Sequence, residues 1–336
     1  MNVAPHRAGT VLSGVPDVCA AAVPGWRWAG GGRPGHEPVC TGGDARPDRP
    51  AGGARLLRDT PPLQTERALF IPTDATLGVP GRPQSATGQA AILTGVNAAA
   101  LLGEHWGPKP DGRLRPLLER ESLFHRAVAA GRTAALLDAY PPRYFAALER
   151  GRRLLSAVPL AATAAGLPLF TAEDLYAGRA LPADFTAAGW RDRLGYADVP
   201  VLTPFQAGQR LAQLARAYDF SLFEHWPPDV LGHRGTMEEA VAALEQFDAV
   251  LGGLLDAWGD AHDLLIITSD HGNLEDLSHR HHTRNPVPTI LVGEGWKTGD
   301  GARRAKGSCL PSSVLHPSSP PFDLTQIAPL ILSVFA

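Results

Sequence analysis

The stretch Leu264–Asn273, LLIITSDHGN, sets a short aliphatic run directly against a cluster of polar groups. A run of this length and composition, closed by a turn signal, reads as a strand buried on both faces. Asp270, His271 and Asn273 then stand at its carboxyl end, which is where an open α/β sheet gathers its chemistry. Working outward, VPTILVG at Val287–Gly293 and YDFSLF at Tyr218–Phe223 read as further buried strands, and RALFI at Arg67–Ile71 as a shorter one. Between them lie helical patterns. SATGQAAILTG from Ser85 reads as a turn leading into a helix, and Met237, Val241, Leu244, Val250, Leu251 and Leu254 roughly follow a helical stripe over Met237–Trp258. FDLTQIAPLILSVF closes the chain as a helix with Asp323 near its start. Strands alternating with helices predict an α/β fold with a mostly parallel sheet sandwiched by helices.

Composition shifts divide the chain. Residues 1–65 are dominated by Gly, Pro and Arg without a sustained period, and we expect poor order there. Residues 66–110 and 201–336 carry the core, while 111–200, rich in Ala and Leu, read as a smaller helical cap inserted into it. No fixed-period repeat is visible, which disfavours a solenoid or propeller. The formal charge of -3 provides no general basic field for nucleic acid or an anionic membrane, so anion recognition must be local. Cys19, Cys40 and Cys309 show no Cys-x-x-Cys spacing, which argues against a thiolate zinc site or disulfide framework and fits a reducing cytoplasm. No stretch approaches the roughly 20 apolar residues of a membrane span. Oligomeric state is not legible.

Three clusters lie at apparent strand ends: Asp229-Val-Leu-Gly-His233, Asp270-His271-Gly-Asn, and His279-Arg-His-His-Thr-Arg-Asn-Pro. Singly, each also reads as a helix start, a polar turn or a solvated loop. Together they place many ionisable groups near one another, which is costly unless metal or hydrogen bonds compensate. Asp and His ligands without Cys suit hard or borderline divalent ions such as Mn²⁺ and Zn²⁺, and hydrolytic or phosphoryl-transfer chemistry.

TSDHGN at Thr268–Asn273 followed by HHTRNPVP at His281–Pro288 resembles the carboxyl-terminal half of the cofactor-independent phosphoglycerate mutase and phosphopentomutase branch of the alkaline phosphatase superfamily. DVLGH at Asp229–His233 is similar to that branch's first-metal Asp-x-x-x-His. The resemblance implies that Asp229, His233 and His282 hold one divalent ion, His282 being preferred over His281 because it directly precedes Thr-x-Asn-Pro. It implies that Asp270 and His271 hold the other, with Ser85 as nucleophile and metal ligand. An ion would lower the pKa of the Ser85 hydroxyl, and a helix opening at Ser85 would favour phosphate. By itself Ser85 reads as an ordinary helix N-cap, and the neighbouring clusters turn the reading toward a nucleophile. Arg143, in AYPPRYF, is a possible phosphate clamp.

The expected function is therefore a metal-dependent phosphomutase or phosphatase acting on a small phosphate ester. The alternative is a degenerate member that binds a metal or a phosphorylated ligand without catalysis. That alternative arises because the superfamily opens with a buried strand ending in a metal-binding Asp. The nearest echo here, Val11-Leu-Ser-Gly-Val15, has Ser13 in that place and flanks unlike a core strand. The opening also resembles GC-rich coding DNA translated out of frame, so a frameshift or misplaced start is expected, a natural extension being the alternative. The Cys/Ser-x-Pro-x-Arg motif of sulfatases is absent around Ser85.

Overall fold

The computed structural model describes strand segments 10–13, 26–28 and 54–56, and residues 62–64, 68–258, 263–293 and 321–335. Most of the atypical opening thus lies outside the described residues. Nine strands are described: β1 Thr10–Ser13, β2 Trp26–Trp28, β3 Ala54–Leu56, β4 Leu63–Gln64, β5 Ala68–Thr73, β6 Ala134–Leu136, β7 Phe220–Glu224, β8 Leu265–Ile267 and β9 Val287–Val292. Seven of them form one sheet in the order β4-β5-β9-β8-β1-β7-β6, and β2 pairs with β3 separately. The pairings β6/β7, β7/β1 and β1/β8 are parallel, whereas β8/β9, β9/β5 and β5/β4 are antiparallel. The mostly parallel sheet expected from the sequence is therefore corrected to a mixed one. Apolar runs such as VPTILV are buried on both faces in either direction of travel, so composition does not encode direction.

Val11-Leu-Ser-Gly-Val15 had offered only an echo of a core strand, but Thr10–Ser13 occupies the middle of the sheet. It pairs with β7 from Thr10↔Ser221 to Ser13↔Glu224, and with β8 from Thr10↔Leu265 to Leu12↔Ile267. Unusual flanks hid a strand that is only four residues long.

The period-two alternation of the strands sorts their side chains onto two layers. Leu69, Ile71, Leu136, Leu222, Ile266 and Leu291 face one cluster, which is completed by the helices Ser85–Thr94, Arg115–Glu121, Leu123–Ala129, Ala157–Ala164 and Ile327–Phe335. Phe70, Leu137, Phe223, Leu265, Ile267 and Ile290 face the other, covered by Pro204–Ala215 and Met237–Trp258. Residues 111–200 thus contribute β6 and three helices to the main layers. A smaller cluster around Leu175, Ala180, Trp190 and Val199 stands apart from both. Among the described residues no helix is long and apolar enough to cross a membrane.

Helix Met237–Trp258 buries Ala240, Leu244, Phe247, Val250, Leu251, Leu254 and Trp258. The stripe is rotated from the sequence reading, since Met237 and Val241 are only half-buried. Glycine sets the approach of its neighbour: a Cβ on Gly208 would meet the Val250 carbonyl at 1.9 Å, and one on Gly253 the Phe205 carbonyl at 1.9 Å.

His225, just past β7, is a core histidine. Its ring lies 4.3 Å from that of Phe185 and 5.7 Å from that of Phe247, and Nδ1 donates to the Ala183 carbonyl at 2.7 Å. Burial pushes its pKa down from 6.5 to about 4 despite that hydrogen bond. The unfolded chain therefore binds a proton here that the folded chain refuses. Stability from this site is complete above about pH 6.5 and is lost as pH falls toward 4, at about 1.4 kcal/mol per unit. On going from pH 7.5 to 5, wild type is expected to lose about 2 kcal/mol relative to His225→Gln. Chemical denaturation at both pH values checks this, and an unchanged gap between the two proteins would reject the assignment.

Candidate metal centre

Helix Pro227–Arg234 follows β7, with two prolines in its first turn where missing N–H groups cost nothing. Asp229 and His233, four residues apart, lie on one face of it. His282 comes from the loop before β9. Asp229 Oδ1 is 3.3 Å from His233 Nε2 and 3.4 Å from His282 Nε2, and the two Nε2 atoms are 3.1 Å apart. Both imidazoles donate through Nδ1 to backbone carbonyls, His233 to Arg280 at 2.9 Å and His282 to Pro83 at 2.7 Å. That fixes the tautomer and aims both Nε2 lone pairs into the cluster, the outer bonding that metal-ligating histidines use. Asn273 Nδ2 donates to Asp229 Oδ1 at 2.8 Å, orienting the carboxylate.

Burial opposes ionisation of Asp229, but hydrogen bonds from His282 and Asn273 and the charges of His271 and His233 outweigh it and hold the carboxyl well below the usual range. Burial likewise opposes charging of His282, and its bonds to Asp229 and Pro83 overcome it and raise its pKa. Both shifts favour a positive charge beside the Asp229 carboxylate. Two imidazole nitrogens and a carboxylate with ligand atoms within 4.8 Å of one another fit a divalent ion. His281 is exposed and does not belong to this set.

Asp270 and His271, both buried, follow β8. The His271 ring stacks on that of His282 with centroids 3.6 Å apart, so the second pair adjoins the first set. Burial lowers the His271 pKa, with Asp270 opposing, and its Nδ1 is buried without a hydrogen-bond partner. His271 Nε2 lies 3.8 Å from Asp270 Oδ2 and 3.0 Å from Ser85 Oγ.

Ser85 is the first residue of its helix and Gln84 the N-cap, so the hydroxyl points at His271 instead of capping the helix. The helix can lie this close because its fourth residue is Gly88, where a Cβ would meet the Asp270 carbonyl at 2.4 Å. Gln89 Nε2 donates to Asp270 Oδ2 at 3.0 Å. Neither Gln89 nor Asn273 stood out in the sequence as a supporting group, although the Asn of TSDHGN was visible. Glu275 was missed as well: it accepts hydrogen bonds from Thr283 Oγ1 and from Asn285 Nδ2, locking the two motif loops together.

The structure thus brings Ser85, Asp229, His233, Asp270, His271 and His282 to one place. Arg143 is not among them. It stands exposed in the first turn of Pro142–Glu149, and the arginine that stacks on this helix is Arg153, 4.7 Å over the Tyr144 ring.

Residues 206–311 match the family described as Metalloenzyme superfamily. The 2,3-bisphosphoglycerate-independent phosphoglycerate mutase of Syntrophotalea carbinolica is 43% identical over 81 residues, 22% of this chain and 16% of the relative. That of Dinoroseobacter shibae is 37% identical over 115 residues, 32% of this chain and 22% of the relative. The chain therefore spans less than a quarter of the length of these curated relatives. The PH0037 protein of Pyrococcus horikoshii superposes over 99% of this chain and 98% of its own, with a TM-score of 0.53 and 14% identity, which establishes a shared fold. Residues 206–311, which carry Asp229, His233, Asp270, His271 and His282, are thus the part of the chain that is similar to the Metalloenzyme superfamily.

Proposed function

We propose that this chain is a metal-dependent phosphotransfer enzyme, a phosphatase or phosphomutase, that acts on a small phosphate ester through Ser85. The observation that carries the reading is the Ser85 hydroxyl, 3.0 Å from His271 at the start of a helix and beside the Asp229, His233 and His282 set. Asp229, His233 and His282 would hold one ion, and Asp270, His271 and Ser85 a second, with Mn²⁺ and Zn²⁺ suiting the donors. Bound there, divalent ions supply activation of the hydroxyl and charge neutralisation on the phosphate.

The protein's own groups do the rest. His271 orients the Ser85 oxygen, and the N–H groups of Ser85 and Ala86 at the helix start, the next two being taken by Trp106 and Gln84, would offer hydrogen bonds to phosphate oxygens. The Ser85 Oγ–phosphorus bond forms as the ester P–O bond breaks, leaving an alcohol. Water or a second hydroxyl then takes the phosphate from Ser85, giving hydrolysis or mutase chemistry respectively. Core residues 66–110 and 201–336 carry this machinery, and the part of 111–200 gathered around Trp190 takes the role of cap.

A second reading, a degenerate binding member, is favoured by one observation. Among the described residues only one cluster gathers three Asp or His ligands, whereas Asp270 and His271 lack a third. Metal analysis with p-nitrophenyl phosphate turnover tests both readings. The enzyme is expected to bind two ions per chain, and Ser85→Ala to lose at least about a hundredfold in turnover while keeping the first ion. One ion and no turnover in wild type would favour the binding member.

A further inference from the structure

Asp270, His271 and Ser85 have a fourth neighbour that no motif announces. Gly88 lets the Ser85 helix run so close to Asp270 that a Cβ on it would lie 3.0 Å from the Asp270 Cβ. The next residue, Gln89, is thereby set beside the Asp270 side chain, and its Nε2 donates to Asp270 Oδ2 at 3.0 Å. The same Oδ2 lies 3.8 Å from His271 Nε2, which is 3.0 Å from Ser85 Oγ. The four side chains thus form one connected group. Two of its polar atoms, Gln89 Oε1 and His271 Nδ1, are buried without a hydrogen-bond partner among the described residues.

A buried acceptor left unsatisfied costs about 1–3 kcal/mol. The bond to Asp270 uses only one half of the Gln89 amide, and the other half is an oxygen with two lone pairs. Asn273 makes the matching bond to Asp229, but its oxygen packs against Gly232, where a Cβ would meet it at 2.5 Å. Amide oxygens are ordinary ligands of hard divalent ions. A half-turn of the amide exchanges its oxygen and nitrogen without moving the stem. The side chain therefore suits either a carboxylate or an ion that the carboxylate holds. Without it, the second set offers one carboxylate, one imidazole and one neutral hydroxyl, against a carboxylate and two imidazoles in the first.

We propose that Gln89 is a ligand of the second ion through its amide oxygen, beside Asp270, His271 and Ser85. The inference rests on the reading that those three residues hold a second ion. It gives that position three oxygen donors and one nitrogen, a set better suited to hard ions than the one around Asp229.

Titration of the chelator-treated full chain with Mn²⁺, followed by the electron paramagnetic resonance signal of the free ion, tests it. Wild type is expected to bind two ions per chain. In Gln89→Ala the second should bind about tenfold or more weakly, with the first unchanged. Gln89→Glu separates a ligand from a hydrogen-bond donor, because its carboxylate keeps an oxygen for the ion but can only repel Asp270. The second ion should therefore bind more tightly to Gln89→Glu than to Gln89→Ala. Gln89→Met, which fills similar space without an oxygen, replaces Gln89→Ala if that variant does not fold, with the same outcomes expected. A second ion weakened by less than about tenfold in the oxygen-free variant, or bound no more tightly by Gln89→Glu than by that variant, overturns the proposal. In either case two ions in wild type leave the two-ion reading standing, and only the Gln89 ligand falls. If wild type binds a single ion, both fall.

Discussion

His282→Ala is expected to bind about one divalent ion fewer per chain than wild type, with affinity at the first position weakened by more than about a hundredfold. Removing an outer partner of a metal ligand costs 10–100-fold, so deleting a ligand should exceed that range. His282 does more than supply Nε2. Its Nδ1 holds the Pro83 carbonyl at 2.7 Å, and its ring stacks on His271 at 3.6 Å, so the same substitution loosens the loop that presents Ser85. Asn273→Ala, which frees Asp229 without deleting a ligand, should fall within that range, and exposed His281→Ala should change nothing. Elemental analysis after dialysis, with competition against a chelator for affinity, measures all three. If His282→Ala retained wild-type metal content, the cluster would be only a hydrogen-bonded histidine pair.

Gly208→Ala is expected to destabilise the fold by about 3 kcal/mol or more, because no rotamer choice removes the clash. The added carbon would sit 1.9 Å from the Val250 carbonyl and 2.6 Å from the Leu254 nitrogen, both backbone atoms, so whole helices must part. Gly252 supplies the control on the same partner helix, since a Cβ there meets only the Phe205 ring at an ordinary 3.7 Å. Gly252→Ala should be neutral or stabilising by up to about 1 kcal/mol through helix propensity. Scanning calorimetry should show a fall in Tm on the order of 5–10 °C for the first and none for the second. Equal behaviour of the two variants would mean that the helices are not in close register.

How much was legible follows from the range of each signal. LLIITSDHGN and VPTILV were readable because a buried strand and its polar exit are local in sequence. Asp229, His233 and His282 could be named together only through the resemblance, since no residue spacing says that a helix after β7 meets a loop before β9. Strand direction was not legible, as β5 and β9 are as apolar as the parallel strands. Gln89, and the partner of Asn273, were not legible for a different reason. An amide carries no charge pattern, and its use depends on whether a carboxylate of another segment lies at 3 Å, as Asp270 and Asp229 do. Arg153 did not stand out because nine positions separate it from Tyr144, on which it stacks, whereas Arg143 precedes that tyrosine directly.

The position of β1 has a consequence for biosynthesis. Its partners, from Ser221 in β7 and Leu265 in β8, lie roughly two hundred residues and more downstream. Entropy is the smaller difficulty, since each doubling of a loop adds only about 0.6 kcal/mol. Time is the larger one. At about 5–20 residues per second on the ribosome, the two flanks of this strand stay unmatched for on the order of ten seconds or more after it emerges. Through that interval only β4, β5 and β6 of the sheet's other strands have been made, and none of them is a neighbour of β1, so strand edges stay open, surfaces that invite pairing with other chains. Production of this protein should therefore depend strongly on synthesis rate and on chaperones that shield nascent strands.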